Sequence, residues 1–275
     1  MAFESQRYDL GEAESREEAL TRIKSYNTVA MTPELFEKLY LQPRGNVKGD
    51  LRKTLANPTP LGLIGFCVAL TPLAGCLMGW RNSGQLGAAN IGVFYFIGGP
   101  LQIICGVLEF FLGNTFPFAV FTTYGCIFLA LAGTLTPFYG SAAAYSATGS
   151  FAEGLGEPSF NSSLAFWPMA IAILNVFFLI CATRINAVFV FIFFGAGLGF
   201  SLLCAALFAF GDGLVDAGSK LLVGTGAAWF FTAMLAWYLL LVQLLGTMGF
   251  GFPLPVGDLS RLWNKAHAHK SDKEV

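Results

Sequence analysis

Six long apolar segments decide what this chain can fold into. They cover residues 61–80, 88–111, 116–136, 163–182, 187–210 and 220–245, with only short polar hinges between them. About 20 apolar residues are needed to cross a hydrocarbon core of about 30 Å. A segment in lipid must satisfy its own backbone hydrogen bonds, which favours helices. The pattern therefore predicts an all-α integral membrane protein with six transmembrane helices.

The composition of the whole chain agrees with a membrane protein. Hydrophobic residues make up 55% of the chain and charged residues only 12%, against roughly 45–50% and 25% in soluble domains. The formal net charge is -1. A chain with no basic field has nothing to hold a phosphate backbone, so nucleic acid is excluded as a partner. The lipid bilayer is the first partner that the sequence implies.

Polar sequence at both ends predicts three regions. Residues 1–55 form a cytosolic N-terminal arm with a short amphipathic helix at 32–40, residues 56–246 form the six-helix transport domain, and residues 247–275 form a cytosolic tail. Six crossings place both termini on one side, and positive charge favours the cytoplasm. The basic residues near membrane ends on the side of the termini are Lys48, Arg52, Lys53, Arg184, Arg261 and Lys265, against Arg81 and Lys220 on the other side. Both termini are therefore expected in the cytoplasm.

A weak internal similarity suggests two halves of three helices. Val93-Phe94-Tyr95-Phe96-Ile97 in the second segment resembles Val188-Phe189-Val190-Phe191-Ile192 in the fifth. Halves of three helices would be inverted relative to each other, as in many transporters whose pathway lies between repeats. Chance similarity between Phe-rich helices explains the match equally well.

The apolar segments carry almost no groups for catalysis. Both histidines, His267 and His269, lie in the tail, and the six cysteines are scattered without a Cys-x-x-Cys pair. We therefore predict no metal site, no cofactor and no enzymatic activity. Glu109 is the only acid within a predicted segment. Because burying a carboxylate in a membrane is costly, it is either a proton or cation site or a structural group bonded to a neighbouring cap or to Arg184.

Asparagines precede the three helices that start on the cytoplasmic side. Asn57 precedes the first segment, Asn114 the third and Asn186 the fifth. Asn is a favoured cap, and each helix start carries partial positive charge and unpaired N–H groups. The three starts either attract a small anion at a shared mouth or only satisfy helix ends.

Small and mildly polar residues lie between the predicted mouths. They are Gly98, Gly99, Gln102, Thr122, Thr123, Tyr124, Gly195, Ala196 and Gly197. Such residues can line a pathway for a small polar solute or anion, with Phe66 or Tyr124 forming an apolar neck that controls wetting. They are equally typical of close helix packing.

At these residues the chain resembles the acetate uptake transporter family, which includes bacterial succinate-acetate permeases and fungal acetate permeases and ammonia-export proteins. The segment Asn57-Pro58-Thr59-Pro60-Leu61-Gly62-Leu63 is similar to the family signature Asn-Pro-x-Pro-Leu-Gly-Leu. Further matching elements follow in order: Gly92-Val93-Phe94-Tyr95, Gln102, Leu108-Glu109, Gly113-Asn114-Thr115-Phe116 and Phe121-Thr122-Thr123-Tyr124-Gly125. The resemblance covers about residues 56–245, and the long arm with Glu34-Leu35-Phe36 is typical of the fungal branch.

The resemblance implies a homohexamer with a pore in each protomer, which passes acetate or a similar short carboxylate with or without a proton. It places a hydrophobic constriction at Phe66 and Tyr124. The third constricting position falls on Ala196, where bacterial members have Leu. A smaller residue there widens the neck or shifts its closure to Leu198.

The resemblance also places polar residues along the pathway. Asn57, Gln102, Asn114 and Thr115 match polar family positions, and we add Thr59 and Thr123 as candidate pathway residues.

We therefore expect a multi-pass plasma membrane protein that transports acetate or a related monocarboxylate, as a channel or as a proton symporter. Two alternatives stay open. One is export of ammonia or ammonium, for which Glu109 is the candidate acid. The other is a non-transporting sensor or scaffold that acts through the N-terminal arm.

Overall fold

The structure is a computed structural model that describes residues 55–250, 254–257 and 259. The predicted amphipathic helix at 32–40 lies outside these residues, as do most of the predicted arm and the end of the tail.

Within the described ranges, every regular element is helical. Six helices are long and apolar enough to cross a membrane: α1 (Thr59–Leu77), α2 (Leu86–Phe111), α3 (Thr115–Leu135), α5 (Pro158–Ala182), α6 (Ala187–Gly211) and α7 (Val215–Thr247). A short helix, α4 (Phe151–Gly156), precedes α5. The prediction of an all-α, six-helix membrane protein is confirmed.

Two of the spanning helices begin five residues earlier than predicted. α5 starts at Pro158 rather than at residue 163, because the ring of Pro presets φ for the first helical turn. The polar turn that follows is satisfied locally, since Asn161 Nδ2 donates to the carbonyl oxygens of Leu155 and Glu157. α7 starts at Val215 rather than at residue 220, with Asp216 in its first turn, where a negative charge stabilises the helix end.

The entry into α2 is irregular. A 3₁₀ segment at Gln85–Asn90 leads through a single helical turn into a π-helical segment at Phe94–Gly98, and regular α-helix resumes at Gly99. Pro100, which follows directly, has no N–H to donate into the preceding turn. A wider π turn at this point is typical of functional sites, and it immediately precedes Gln102 along the helix.

The helices pack as two groups of three. α1 packs against α2, α3 packs against α2, and α6 lies between α5 and α7. The two groups are joined most extensively along α1 and α7. This arrangement is compatible with two three-helix halves, and the inverted repeat stays a prediction.

Glycine lets α2 and α3 approach until their backbones touch. A Cβ added to Gly125 would lie 2.8 Å from the carbonyl oxygen of Gly99. Gly98 allows a similar approach of α2 to α1, since a Cβ added there would lie 2.7 Å from Ala69 Cβ. These glycines therefore serve close helix packing, the alternative to lining a pathway.

The first prediction concerns this packing. We expect Gly125→Val to lower the apparent melting temperature of the purified protein in detergent, because the backbone of α2 cannot move aside and such overpacking costs about 1–3 kcal/mol. Gly92→Ala is the matched control, since a Cβ there would meet nothing within 4 Å. Equal melting temperatures for the two variants would contradict backbone contact at Gly125.

Candidate functional site

Two cavities lie one after the other along the inside of the bundle. The near cavity is bounded by the starts of α1, α3 and α6, and the far cavity lies towards the opposite ends of these helices. Residues that line the near cavity include Thr59, Gln102, Phe116, Val120, Ile192 and Ala236. Residues that line the far cavity include Leu70, Leu73, Leu131, Ala196, Phe200 and Trp229. No charged side chain of the described chain lines either cavity.

Phe66 and Tyr124 line both cavities and form the neck between them. Their ring centroids lie 5.4 Å apart and the ring planes stand at 89° to each other, an edge-to-face contact favoured by the ring quadrupoles. Phe66 is 7% and Tyr124 5% exposed. The two rings therefore form an apolar barrier between the two cavities.

Of the other two predicted constriction residues, one lies beside this barrier and one does not. Ala196 is 2% exposed and lines the far cavity, and its carbonyl oxygen accepts a hydrogen bond from Trp229 Nε1 at 3.3 Å. Leu198 is 43% exposed on the outer surface of α6 and lines neither cavity. The structure thus brings together Phe66, Tyr124 and Ala196, without Leu198.

Gln102 presents a polar atom in the near cavity. Its side chain is fully buried, and Nε2 donates to the carbonyl oxygen of Gly98 at 2.7 Å, in the π turn of α2. Oε1 has no hydrogen-bond partner in the described structure. A buried amide oxygen without a partner is costly, so Oε1 is an unsatisfied acceptor among the residues that line the near cavity.

A buried carboxylate joins three helices at the end of the bundle where α1 and α3 start. Glu109 is 1% exposed; its Oε1 accepts from Thr59 Oγ1 at 2.5 Å, and its Oε2 accepts from Asn114 Nδ2. The backbone N–H of Asn114 also donates to the carbonyl oxygen of Glu109 at 2.9 Å. These bonds join α1, α2 and α3, and Glu109 lines neither cavity.

The three asparagines at helix starts do three different things. Asn186 caps α6, since its Oδ1 accepts from the N–H of Phe189 at 2.9 Å. Asn57 lies two residues before α1 and accepts from the N–H of Thr59 at 3.0 Å. The prediction is wrong for Asn114, which stands at the start of α3 without a side-chain capping bond; its Nδ2 donates to the Glu109 carboxylate, which fixes the orientation of the amide.

The remaining predicted pathway residues lie away from the cavities. Thr115 is exposed at the start of α3, and Thr123 is half-buried. Asn57, Asn114, Thr115 and Thr123 appear in the lining of neither cavity, whereas Thr59 and Gln102 line the near cavity.

Sequence reasoning missed Asn175. It lies in α5 with 1% exposure, and its Oδ1 accepts a hydrogen bond from the Tyr124 hydroxyl at 2.6 Å. Its Nδ2 donates to the carbonyl oxygen of Ile171 at 2.9 Å. A polar side chain inside an apolar helix was the available signal, because such residues in membranes pair with one another or with backbone.

Comparisons with known proteins agree with this architecture. The sequence model of the GPR1/FUN34/yaaH family matches residues 40–261. The chain is 44% identical over 241 residues to Protein alcS from Aspergillus fumigatus, across 86% of this chain and 88% of the relative. It is 28% identical over 217 residues to the acetate transporter protein patA of Aspergillus clavatus, across 78% of this chain and 83% of the relative.

A solved structure shares the fold. The bacterial acetate channel SatP matches with a TM-score of 0.60 and 26% sequence identity, across 74% of this chain and 99% of that chain. The family resemblance predicted from the signature at residues 57–63 is confirmed, since the family model spans that signature and all six helices. The chain is a multi-pass membrane protein and belongs to the GPR1/FUN34/yaaH family.

Proposed function

We propose that this protein moves acetate or a related short monocarboxylate across a membrane, along a path inside the protomer. The path runs from the near cavity through the neck of Phe66 and Tyr124 to the far cavity. The observation that carries the proposal is that the two cavities share these two rings. The names of the relatives, an acetate transporter and an acetate channel, support acetate as the solute.

The lining of the path bears on the form in which acetate crosses. A bare carboxylate would lose its water at an apolar ring with no charged group of the described chain to replace it, and this desolvation is expensive. An un-ionised acid, or a carboxylate travelling with a proton, avoids most of that cost. Gln102 Oε1, which lacks a partner in the described structure, is an acceptor suited to the hydroxyl of such an acid.

The surroundings of the protein belong to the same proposal. We place it in the plasma membrane with both termini in the cytoplasm, which the distribution of Lys and Arg supports. We also propose a homohexamer with one path in each protomer. Large apolar side chains on the outside of the described helices, such as Phe96 at 79% and Phe110 at 60% exposure, support contact with lipid or with neighbouring protomers.

The structure favours a carboxylate over ammonium. A cation path calls for acidic side chains facing the solute, and no acid of the described chain lines either cavity. Glu109, the candidate acid, is bonded to Thr59 and Asn114 outside both linings. We also propose transport rather than an enzymatic or a purely scaffolding role, because the two cavities and the neck form a path.

The second prediction tests transport itself. Labelled acetate is presented to proteoliposomes that are neutral inside and acidic outside, beside empty liposomes and an ammonium control. We expect the uptake of labelled acetate to saturate and to be inhibited by unlabelled acetate. Diffusion of the acid through lipid would do neither. Ammonium uptake with acetate at the level of empty liposomes would overturn the carboxylate proposal. Absence of both fluxes would favour a sensor or scaffold, for which deletion of residues 1–54 is the next test.

A further inference from the structure

We infer that Asn175 sets the hydrogen-bond polarity of the neck, so that the neck selects the un-ionised acid over the carboxylate anion. Asn175 does this by accepting the one hydrogen bond that the Tyr124 hydroxyl can donate. The inference rests on the proposed function, because it names the form of the solute that the same path accepts.

The contact between the two side chains is short and enclosed. The Tyr124 hydroxyl donates to Asn175 Oδ1 at 2.6 Å, and both residues are buried. The amide of Asn175 is oriented by its second bond, in which Nδ2 donates to the carbonyl oxygen of Ile171 at 2.9 Å. With the NH₂ group occupied there, the amide oxygen is the atom that faces the phenol.

Packing holds this pair in place. Gly197 follows Ala196 in α6, and a Cβ added to Gly197 would lie 3.2 Å from Asn175 Cβ. α6 therefore approaches α5 closely at Asn175. The Tyr124 ring lies between Phe66 at 5.4 Å and Phe178 at 6.5 Å, measured between ring centroids. The phenol therefore keeps one orientation, in which its ring forms the neck and its proton points to α5.

The polar side chains that line the cavities donate their hydrogen bonds within the protein. A phenol has one proton to donate. Because that proton is engaged in the hydrogen bond to Asn175, only the oxygen lone pairs of Tyr124 remain for a further hydrogen bond. The Thr59 hydroxyl likewise donates to Glu109, and Gln102 Nε2 donates to the carbonyl oxygen of Gly98, which leaves Oε1 of Gln102 as an unsatisfied acceptor. A carboxylate has only lone pairs to offer in return, whereas an un-ionised acid has a hydroxyl proton. Without Asn175, the Tyr124 hydroxyl could donate its hydrogen bond to an anion instead.

The test compares acetate with methanesulfonate, a permanently ionised anion, in the same proteoliposomes. Asn175→Leu is expected to raise the ratio of methanesulfonate to acetate uptake about fivefold, the factor expected for one net hydrogen bond. Tyr124→Phe and the double variant Tyr124→Phe/Asn175→Leu are expected to show no such rise, because neither has a phenol proton to release. Asn161→Leu is the matched control, since Asn161 is also a buried Asn of α5 but bonds to carbonyl oxygens of Leu155 and Glu157.

The outcomes separate this inference from the proposed function. An unchanged ratio in Asn175→Leu, or a rise that persists in the double variant, would overturn the role of Asn175 while wild-type acetate uptake still stands. Absence of wild-type acetate uptake would instead overturn the proposed function. If Asn175→Leu is not monodisperse in detergent, Asn175→Ala releases the same proton with a smaller side chain and decides the question.

Discussion

Tyr124→Ala is expected to raise the uptake of butyrate relative to acetate by at least about tenfold, which corresponds to about 1.4 kcal/mol of barrier. Phe66 and Tyr124 are the two rings that both cavities share. Removing one of them joins the cavities into a wider passage, so a longer acid such as butyrate no longer meets the barrier. Phe66→Ala is expected to act in the same direction. Competing uptake of the two labelled acids in proteoliposomes measures the ratio directly.

Phe178→Ala is the control for this experiment. Phe178 is a buried ring that packs against Tyr124 and Phe193 at centroid distances of 6.5 and 5.5 Å, but it lines neither cavity. Its loss is expected to lower stability by about 3–5 kcal/mol, as for other buried Phe residues, but to change the ratio much less than Tyr124→Ala does, because Tyr124 keeps its contacts with Phe66 and Asn175. Size selection does not occur at the neck if Phe178→Ala changes the ratio as much as Tyr124→Ala.

The second large effect is expected at the buried carboxylate. Asn114→Leu and Thr59→Val each remove a hydrogen-bond donor from Glu109, which is 1% exposed. Removing one hydrogen-bond donor from a buried carboxyl group costs about 1–3 kcal/mol. We therefore expect each variant to lower the apparent melting temperature in detergent, and the double variant to lower it further.

Thr134→Val controls for the loss of a hydroxyl group. Thr134 donates at 2.9 Å to the carbonyl oxygen of Ala130 in its own helix, so its replacement leaves no buried charge without a donor. We expect its melting temperature to stay close to that of the wild type. If Asn114→Leu and Thr59→Val also have the melting temperature of the wild type, the carboxylate does not hold α1, α2 and α3 together.

Much of the fold could be predicted because its signals are local. Six apolar segments of spanning length appear in the sequence and become six helices. The starts of α5 and α7 were missed because polar residues near Pro158 and Asp216 interrupt the hydropathy pattern, although both residues stabilise helix starts. Hydropathy reports where lipid begins, and helices continue beyond that boundary.

The arrangement of side chains in the site depends on helix rotation, which a single sequence does not reveal. Leu198 follows Ala196 by two residues, or roughly 200° around an α-helix, so it faces outwards where Ala196 faces the far cavity. Asn175 meets Tyr124 across 51 residues of chain. Asn114 was expected to cap its helix, but its amide is oriented by the bond that its Nδ2 donates to a carboxylate five residues away.

The most direct test of the path places a large side chain in it. Ala196→Trp puts an indole beside the neck in the far cavity, and Leu198→Trp puts the same group on the outer surface of the same helix. For variants that are both monodisperse in detergent, we predict that Ala196→Trp reduces saturable acetate uptake to the level of empty liposomes, whereas Leu198→Trp retains wild-type uptake. Wild-type uptake in Ala196→Trp would contradict a path through the interior of the protomer.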